Sequence, residues 1–392
     1  MRKDFFGRGI DKVISEESLR ARLEKGDKLR IKYGVDPTRP DIHLGHAVVL
    51  WKLKELQDDG HTIIFLIGDY TTKIGDPSGR NTTRPILSDE EIKENAKTYL
   101  SQVGKILNVE KTEVRYNSEW LSKLTFNDVL LLAGKFTVAQ IIEREDFRKR
   151  LEDGSDIALH EMLYPLMQAY DSVALEADVE FGGSDQIFNL LAGRDLQKKV
   201  GQRPQDIVTT RLLVGTDGKI KMSKSAGNYI SVNEEPNTMY GKVMSVPDSL
   251  IVPYFELCTG KNEDEIASIK STLDAGQNPR GAKMALAREI VSIYHSPEDS
   301  LKAEEEFVRV FSNKELPTDL APVELAEGNY EPPMLLIALG ATNSKSEARR
   351  LVVQGGLKVD GAKVSDPSSV IAIRDGMILQ VGKKKAYKVT AD

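Results

Sequence analysis

The chain has 392 residues, 40% hydrophobic and 29% charged, with a net charge of −6 and a single cysteine, Cys258. That length supports about two to three domains with sizeable cores. No apolar run approaches the roughly 18 residues of a membrane helix, and the opening MRKDFFGRGIDKVISEES turns charged before a signal-peptide core could form. One cysteine excludes an internal disulfide framework and fits a reducing cytosol. The charge hides an asymmetry. Residues 333–392 hold ten Lys or Arg against five Asp or Glu, so a +5 module follows a body carrying −11. Such a module suits localised contact with a polyanion.

In chain order, residues 1–28 read as a helical lead-in, with the helix over 16–25. Leu29, Ile31, Tyr33 and Val35 alternate with polar residues, as in a strand. Pro37 and Pro40 break it, Asp41 is a candidate N-cap, and an amphipathic helix runs from about 42 to 58. The apolar run 63–67 is a strand buried on both faces, which completes a βαβ unit. His43 and His46 share one face of the helix's first turn, with Gly45 leaving the backbone approachable. A helix N-terminus with free N–H groups and the positive dipole end receives anions. Two imidazoles there suit phosphate better than zinc, which wants a third ligand nearby. No dedicated metal site is expected. Taken alone, a bare H-x-x-H is also compatible with two surface histidines.

Residues 75–85 form a loop, and Ser88 with Glu91 makes a capping box for a helix to about 107. Residues 113–116 are a candidate strand, and helices are expected at 118–124, 126–134 and 137–150. This region interrupts the αβ alternation and reads as an insertion. Within the apolar helix 157–175, Tyr164, Gln168 and Asp171 fall on one polar stripe that must find partners. A strand at 179–181 runs into Gly182-Gly183-Ser184-Asp185-Gln186 and a helix to about 200, a potential phosphate or ribose cradle. A strand at 208–214 precedes the loop Lys219-Ile220-Lys221-Met222-Ser223-Lys224-Ser225. By itself that loop could be solvated surface, but its place after a strand of the same sheet makes phosphate contact plausible. Residues 231–312 read as helical and 313–333, with four prolines, as a linker. In the last 60 residues a Ser344–Glu347 capping box opens a helix that Gly355-Gly356 ends. A hairpin turns at Asp360-Gly361, and two strands follow at 378–381 and 386–389.

Together these residues resemble the bacterial tyrosyl-tRNA synthetases, a family of class I aminoacyl-tRNA synthetases. His43-Leu44-Gly45-His46 is similar to the family's HIGH signature, with Leu for Ile, and Lys221-Met222-Ser223-Lys224-Ser225 matches its KMSKS signature. The tail resembles the RNA-binding domain shared with ribosomal protein S-four. The resemblance implies an α/β fold: a Rossmann-like catalytic domain over 1–230 with a helical insertion at about 80–155, then an α-helical, tRNA-contacting domain over 231–312. A linker over 313–333 would lead to a small α+β RNA-binding domain over 334–392.

The implied reaction is activation of L-tyrosine by ATP, accompanied by Mg2+, then transfer to the terminal ribose of tRNA(Tyr). The resemblance assigns phosphate chemistry to His43, His46, Lys221 and Lys224, with Thr38 assisting. ATP contacts fall to Asp36, Gly45, Gly183, Asp185, Met222, Ser223 and Ser225. In the amino-acid pocket, Asp171 would accept the phenol O–H, with Tyr164, Gln168, Asp76 and Thr71 around the ammonium group and Gln186 and Gly34 alongside. A buried carboxylate left unpaired by phenylalanine rejects it, a principle for which this family is the standard example. Lys32 stands where many members carry a Tyr, and by strand alternation Tyr33 points to the opposite face. Lys32 would then pair with an acid. Lys345, Arg349, Arg350 and Lys358 are the candidate RNA contacts. A cytoplasmic homodimer, joined through the apolar helices near 126–150, completes the expectation. A tryptophanyl enzyme and a non-catalytic RNA-binding relative remain the alternatives.

Overall fold

The computed structural model describes residues 5–78, 87–313, 320–382 and 385–391. It divides into two compact units, one ending at Leu301 and the other beginning at Lys302.

The first unit is built on a six-stranded sheet. Its strands are β1 (Ile10–Ile14), β2 (Arg30–Val35), β3 (Thr62–Ile67), β4 (Thr112–Tyr116), β5 (Val179–Gly183) and β6 (Asp206–Thr210), in spatial order β1-β6-β5-β2-β3-β4. All neighbours are parallel except β1, which lies antiparallel along β6. Ile63, Ile64 and Phe65 of β3 are fully buried, as the unbroken apolar run requires of a strand covered on both faces. The chain leaves β2, passes through the helix Leu44–Asp58 and returns as β3. It leaves β5, passes through the helix Ile187–Lys199 and returns as β6 on the other side. The order therefore reverses between β2 and β5, where open α/β sheets form a crevice at the carboxyl ends of the strands.

Several boundaries differ from the sequence expectation. Strand β1 was not anticipated: its IDKVI has no clean alternation, and a left-handed Ser15 (φ 65°) turns it into the helix Glu16–Lys25. β4 lies inside the stretch read as an insertion, yet it is the edge strand of the main sheet. The helix after β2 is capped by His43, not Asp41; the His43 ring accepts the Gly45 N–H at 3.2 Å. β6 ends at Thr210. Val214 instead bridges to Lys221, so the end of the expected strand becomes the stem of the lysine loop. The capping boxes at Ser88–Glu91, Thr125–Asp128 and Thr137–Gln140 all form. Residues 79–86, which include the greater part of the loop expected at 75–85, lie outside the described residues.

Past the sheet, the helices Pro236–Ser245, Ile251–Cys258, Glu263–Asp274 and Pro279–Tyr294 pack around Tyr240, Ile251, Phe255, Leu286 and Ile290, all fully buried. Arg8 ties the amino-terminal segment to this group through the carbonyls of Phe255 and Thr259 (2.8 and 2.5 Å), which a helix end otherwise leaves unpaired.

The second unit corrects the linker expectation. β7 (Ala321–Leu325) and β8 (Gly328–Tyr330) fall within 313–333 and belong to its sheets. Val323 and Leu325 face its core, so alternation prevailed over the flanking prolines. With β9 (Leu357–Val359), β10 (Ala362–Val364), β11 (Ile371–Ile373), β12 (Ile378–Val381) and β13 (Lys385–Ala391), they form one sheet in the order β10-β9-β12-β13-β7 and a β11-β8 pair. The helices Pro332–Ala338 and Lys345–Val353 bury Leu335, Leu336, Ala348 and Val352 against it. Asp360 (φ 46°) and Gly361 (φ 82°) both take the left-handed conformation that a two-residue hairpin turn demands. Residues 314–319 lie outside the described residues.

Candidate active site

A cavity of about 1040 Å³ opens over the carboxyl ends of β2, β3, β5 and β6, at the reversal of strand order. One wall is the N-terminus of the helix Leu44–Asp58. The His43 and His46 rings lie 3.9 Å apart. Each spends its Nδ1 as an acceptor, His43 from the Gly45 N–H and His46 from the His43 N–H at 3.3 Å. Burial, then the Lys224 charge, holds His43 neutral with a pKa pushed down to about 3. Burial, followed by the neighbouring His43 and then Lys224, drives His46 down as well. Both rings are therefore neutral, and with Nδ1 accepting, the proton sits on Nε2. They are hydrogen-bond donors beside a positive dipole end, not cations. Gly45 keeps this turn open: a Cβ there would lie 3.0 Å from the His43 ring and press on it.

The opposite wall is the lysine loop. Met222 is buried and its N–H reaches the Leu213 carbonyl (2.7 Å). Buried Asn228 accepts from the Ser223 N–H (2.8 Å). Lys221 pairs with Asp185, beyond β5, at 2.5 Å. Lys224 reaches across to the Arg39 carbonyl (3.1 Å) and the Tyr99 hydroxyl (2.8 Å), with its ammonium 5.0 Å over the Tyr99 ring. The loop thus leans over the histidines.

The third side is a chain of hydrogen bonds. Asp171 is 2% exposed and accepts from Trp120 Nε1 (2.8 Å) and Asn117 Nδ2 (3.2 Å). Asn117 also donates to Thr71 (2.9 Å), Thr71 to Asp36 (2.8 Å), and the Tyr164 hydroxyl to the other Asp36 oxygen (3.0 Å). Burial lifts Asp171 to a pKa of about 7, opposed by Lys32 and by its two donors. Beside this lies a second network. Gln186 donates to Asp76 (2.8 Å), Asn189 to Gln186 (2.8 Å), and Arg144 to Asn189 (2.6 Å) and Ser78 (2.9 Å). Among the described residues no hydrogen-bond donor reaches the buried Oε1 of Gln168, which lines the cavity.

Every residue assigned from sequence to phosphate, ATP or amino-acid contact lines this one cavity, Thr38, Gly34, Gly183 and Ser225 included. Asp36, grouped with the ATP contacts, is held between Thr71 and Tyr164, two residues grouped with the amino-acid contacts. Lys32 does pair with an acid, Glu180. Tyr33 turns its ring toward Phe65, 6.1 Å between centroids. Lys345, Arg349, Arg350 and Lys358 belong to the second unit; the first three are exposed and Lys358 is half-buried. Sequence reasoning missed Asn117, Trp120, Arg144 and Tyr99. Asn117 had a signal, since it follows β4, and residues just past the end of a sheet strand build such sites. Arg144 and Tyr99 carried none.

A parallel sheet with a phosphate-ready helix N-terminus facing a lysine loop, and a polar pocket for a small molecule beside them, is the site of a nucleotide-dependent enzyme of Rossmann type. The family model for tRNA synthetases class I (W and Y) matches residues 24–312, and that of the S4 domain matches 334–375. The tyrosine–tRNA ligase of Thermotoga maritima is 51% identical over 384 residues, covering 98% of this chain and 96% of its own. That of Aquifex aeolicus is 49% identical over 383 residues, covering 98% and 97%. Among solved structures, a C-terminally truncated mitochondrial tyrosyl-tRNA synthetase of Aspergillus nidulans superposes with a TM-score of 0.65 at 25% identity, over 79% of this chain and 95% of that one. The Archaeoglobus fulgidus tyrosyl-tRNA synthetase complexed with L-tyrosine gives 0.62 at 26% identity, over 76% and 98%. The chain belongs to the class I tRNA synthetase family of the tryptophan and tyrosine enzymes, with an S4 domain at its carboxyl end.

Proposed function

We propose that the chain is a tyrosine–tRNA ligase, which activates L-tyrosine with ATP and passes it to tRNA(Tyr). Asp171 carries the choice of tyrosine. A buried carboxylate at the end of an amino-acid pocket suits a phenol O–H, and a phenyl ring supplies no donor to it. Near-50% identity over almost the whole length to tyrosine–tRNA ligases supports the same reading.

In the first step the tyrosine carboxylate attacks the α-phosphorus of ATP in line, and pyrophosphate leaves. No protein nucleophile is needed; the site contributes positioning and stabilisation of charge on the phosphates. The Nε2–H groups of His43 and His46, the helix N-terminus and Thr38 serve the phosphates. Lys221 and Lys224, on a loop able to close, hold the leaving pyrophosphate mainly in the transition state. The ammonium group of tyrosine meets Gln168 Oε1, Asp76 and Tyr164, while Gln186 guides its carboxylate. Asp185, Gly183, Met222, Ser223 and Ser225 surround the nucleotide. Magnesium enters as the counterion of ATP.

In the second step the terminal ribose hydroxyl of tRNA takes the tyrosyl group. Residues 231–312 and the basic unit with Lys345, Arg349, Arg350 and Lys358 contact the RNA. The chain works in the cytoplasm as a homodimer joined through 126–150, where Phe126, Leu131 and Val138 are more than 60% exposed. Amino-acid-dependent ATP–pyrophosphate exchange with tyrosine, tryptophan and phenylalanine in parallel tests the assignment. Tyrosine alone should drive it, and exchange driven by tryptophan would overturn it.

A further inference from the structure

Beneath the amino-acid end of the cavity lies a charged pair that none of these roles uses. Lys32 is 1% exposed, in the middle of the parallel sheet. Its ammonium is 2.8 Å from Glu180, its register partner on β5. It also donates to the Gln168 carbonyl (3.2 Å) and the Ser172 hydroxyl (2.9 Å), one turn apart on the helix Tyr164–Ala174. Those two contacts bracket Asp171. Ser172 in turn donates to Glu180 (3.1 Å), and so does Gln205. Gly193 closes the network: a Cβ there would come within 2.8 Å of both Gln205 and Ser172. Lys32, Glu180, Gln168 and Asp171 all line the cavity.

An apolar pair of similar volume would hold the sheet to the helix as well or better, because desolvating two charges is costly. Fold stability alone therefore gives no reason for this pair. Its neighbour does. The charges facing Asp171 are Lys32 from β2 and Glu180 from β5, while Asn117 and Trp120, past β4, present uncharged donors. Tyr164 and Gln168 are its polar neighbours on its own helix.

We propose that Lys32 is a positioning residue that sets the side-chain specificity of the site: its ammonium, held by Glu180 and by the Tyr164–Ala174 helix on both sides of Asp171, keeps that carboxylate in place and ionised, so that a phenol is accepted and a phenyl ring refused. This rests on the tyrosine reading above. Burial alone drives Asp171 toward the protonated form, Lys32 opposes it, and Glu180 reinforces it. The two partners of the pair thus act on Asp171 in opposite directions.

That opposition supplies the test. Exchange is measured with tyrosine and with phenylalanine, from about pH 5.5 to 9, for the wild type, Lys32→Met and Glu180→Gln. Absence of tyrosine-driven exchange in the wild type would refute the tyrosine reading itself, whatever the variants do. With an active wild type, Lys32→Met should move the acidic limb of the tyrosine kcat/KM profile up by about one pH unit. It should also raise the tyrosine KM roughly fivefold near neutrality, while phenylalanine changes little. Glu180→Gln should move the limb down. A purely structural pair predicts equal losses for both amino acids and limbs that stay where they are, and that result overturns the proposal. Should Lys32→Met not fold, the limb of Glu180→Gln decides alone: a downward shift supports the proposal and a fixed limb refutes it.

Discussion

Among single residues, Lys224 isolates the chemistry from the binding. Its ammonium lies against Tyr99 and the Arg39 carbonyl, at the mouth of the cavity and away from the Asp171 end. Lys224→Ala should lower the rate of adenylate formation by roughly 10²-fold, as expected for loss of one contact made mainly in the transition state. Tyrosine affinity, measured by equilibrium binding without ATP, should stay unchanged. Weaker tyrosine binding with an unaltered rate would place the lysine in the amino-acid pocket instead. Residues such as these were legible because their chemistry sits in short patterns: two imidazoles three apart, and lysines and serines in one loop. The partners of Asp171 were not. Trp120 and Asn117 lie 51 and 54 positions away, and only pairing of β4 with β3 brings them in. No local pattern records that pairing. Lys32 is intermediate. Its place where many family members carry a Tyr pointed to an acid partner, but the identity of that acid depended on which strand lay alongside.

Elements were read most reliably where one physical signal dominated. The helix Glu16–Lys25 and the Asp360-Gly361 hairpin formed where periodicity and turn chemistry placed them. The start of the signature helix was displaced because a histidine does the work usually given to Asp or Ser. His43 closes the first turn with an Nδ1 that must stay unprotonated to accept the Gly45 N–H. This makes the element sensitive to acid. The folded pKa of His43, about 3, lies below its unfolded value, so the unfolded chain binds the extra proton first. Stability from this group is therefore fully present above about pH 6.5. It is lost as pH falls toward 3, at about 1.4 kcal/mol per pH unit. His43→Asn, which keeps a side-chain acceptor at the cap, should unfold in urea with a shallower dependence on pH between about 6.5 and 4.5. Equal slopes for the variant and the wild type would mean that His43 is charged in the folded protein.

At the scale of the whole molecule, composition already separated a basic tail from an acidic body, but it put the boundary too late. The prolines of 313–333 suggested a linker, while β7 and β8 inside that stretch pair with β13 and β11 of the second unit. A cut at 333 therefore removes β13 and β11 and leaves β7 and β8 behind, with Val323 and Leu325 stripped of their core. Unpaired strands of that kind promote association between chains. A cut after Asn313 removes every strand of the second unit and keeps the six-stranded sheet, the cavity and the helices up to Ser312. The shorter chain, ending at 313, should remain soluble and form tyrosyl-adenylate at the full-length rate. Its charging of tRNA should fall steeply and lose most of its dependence on salt, because the phosphate contacts assigned to Lys345, Arg349, Arg350 and Lys358 go with the unit. The longer chain, ending at 333, should aggregate more readily than either, as read by light scattering. If the two truncations behave alike in solution, β7 and β8 contribute nothing to the second unit. If the shorter one loses adenylate formation together with charging, the basic unit supports the fold of the first and not the grip on RNA.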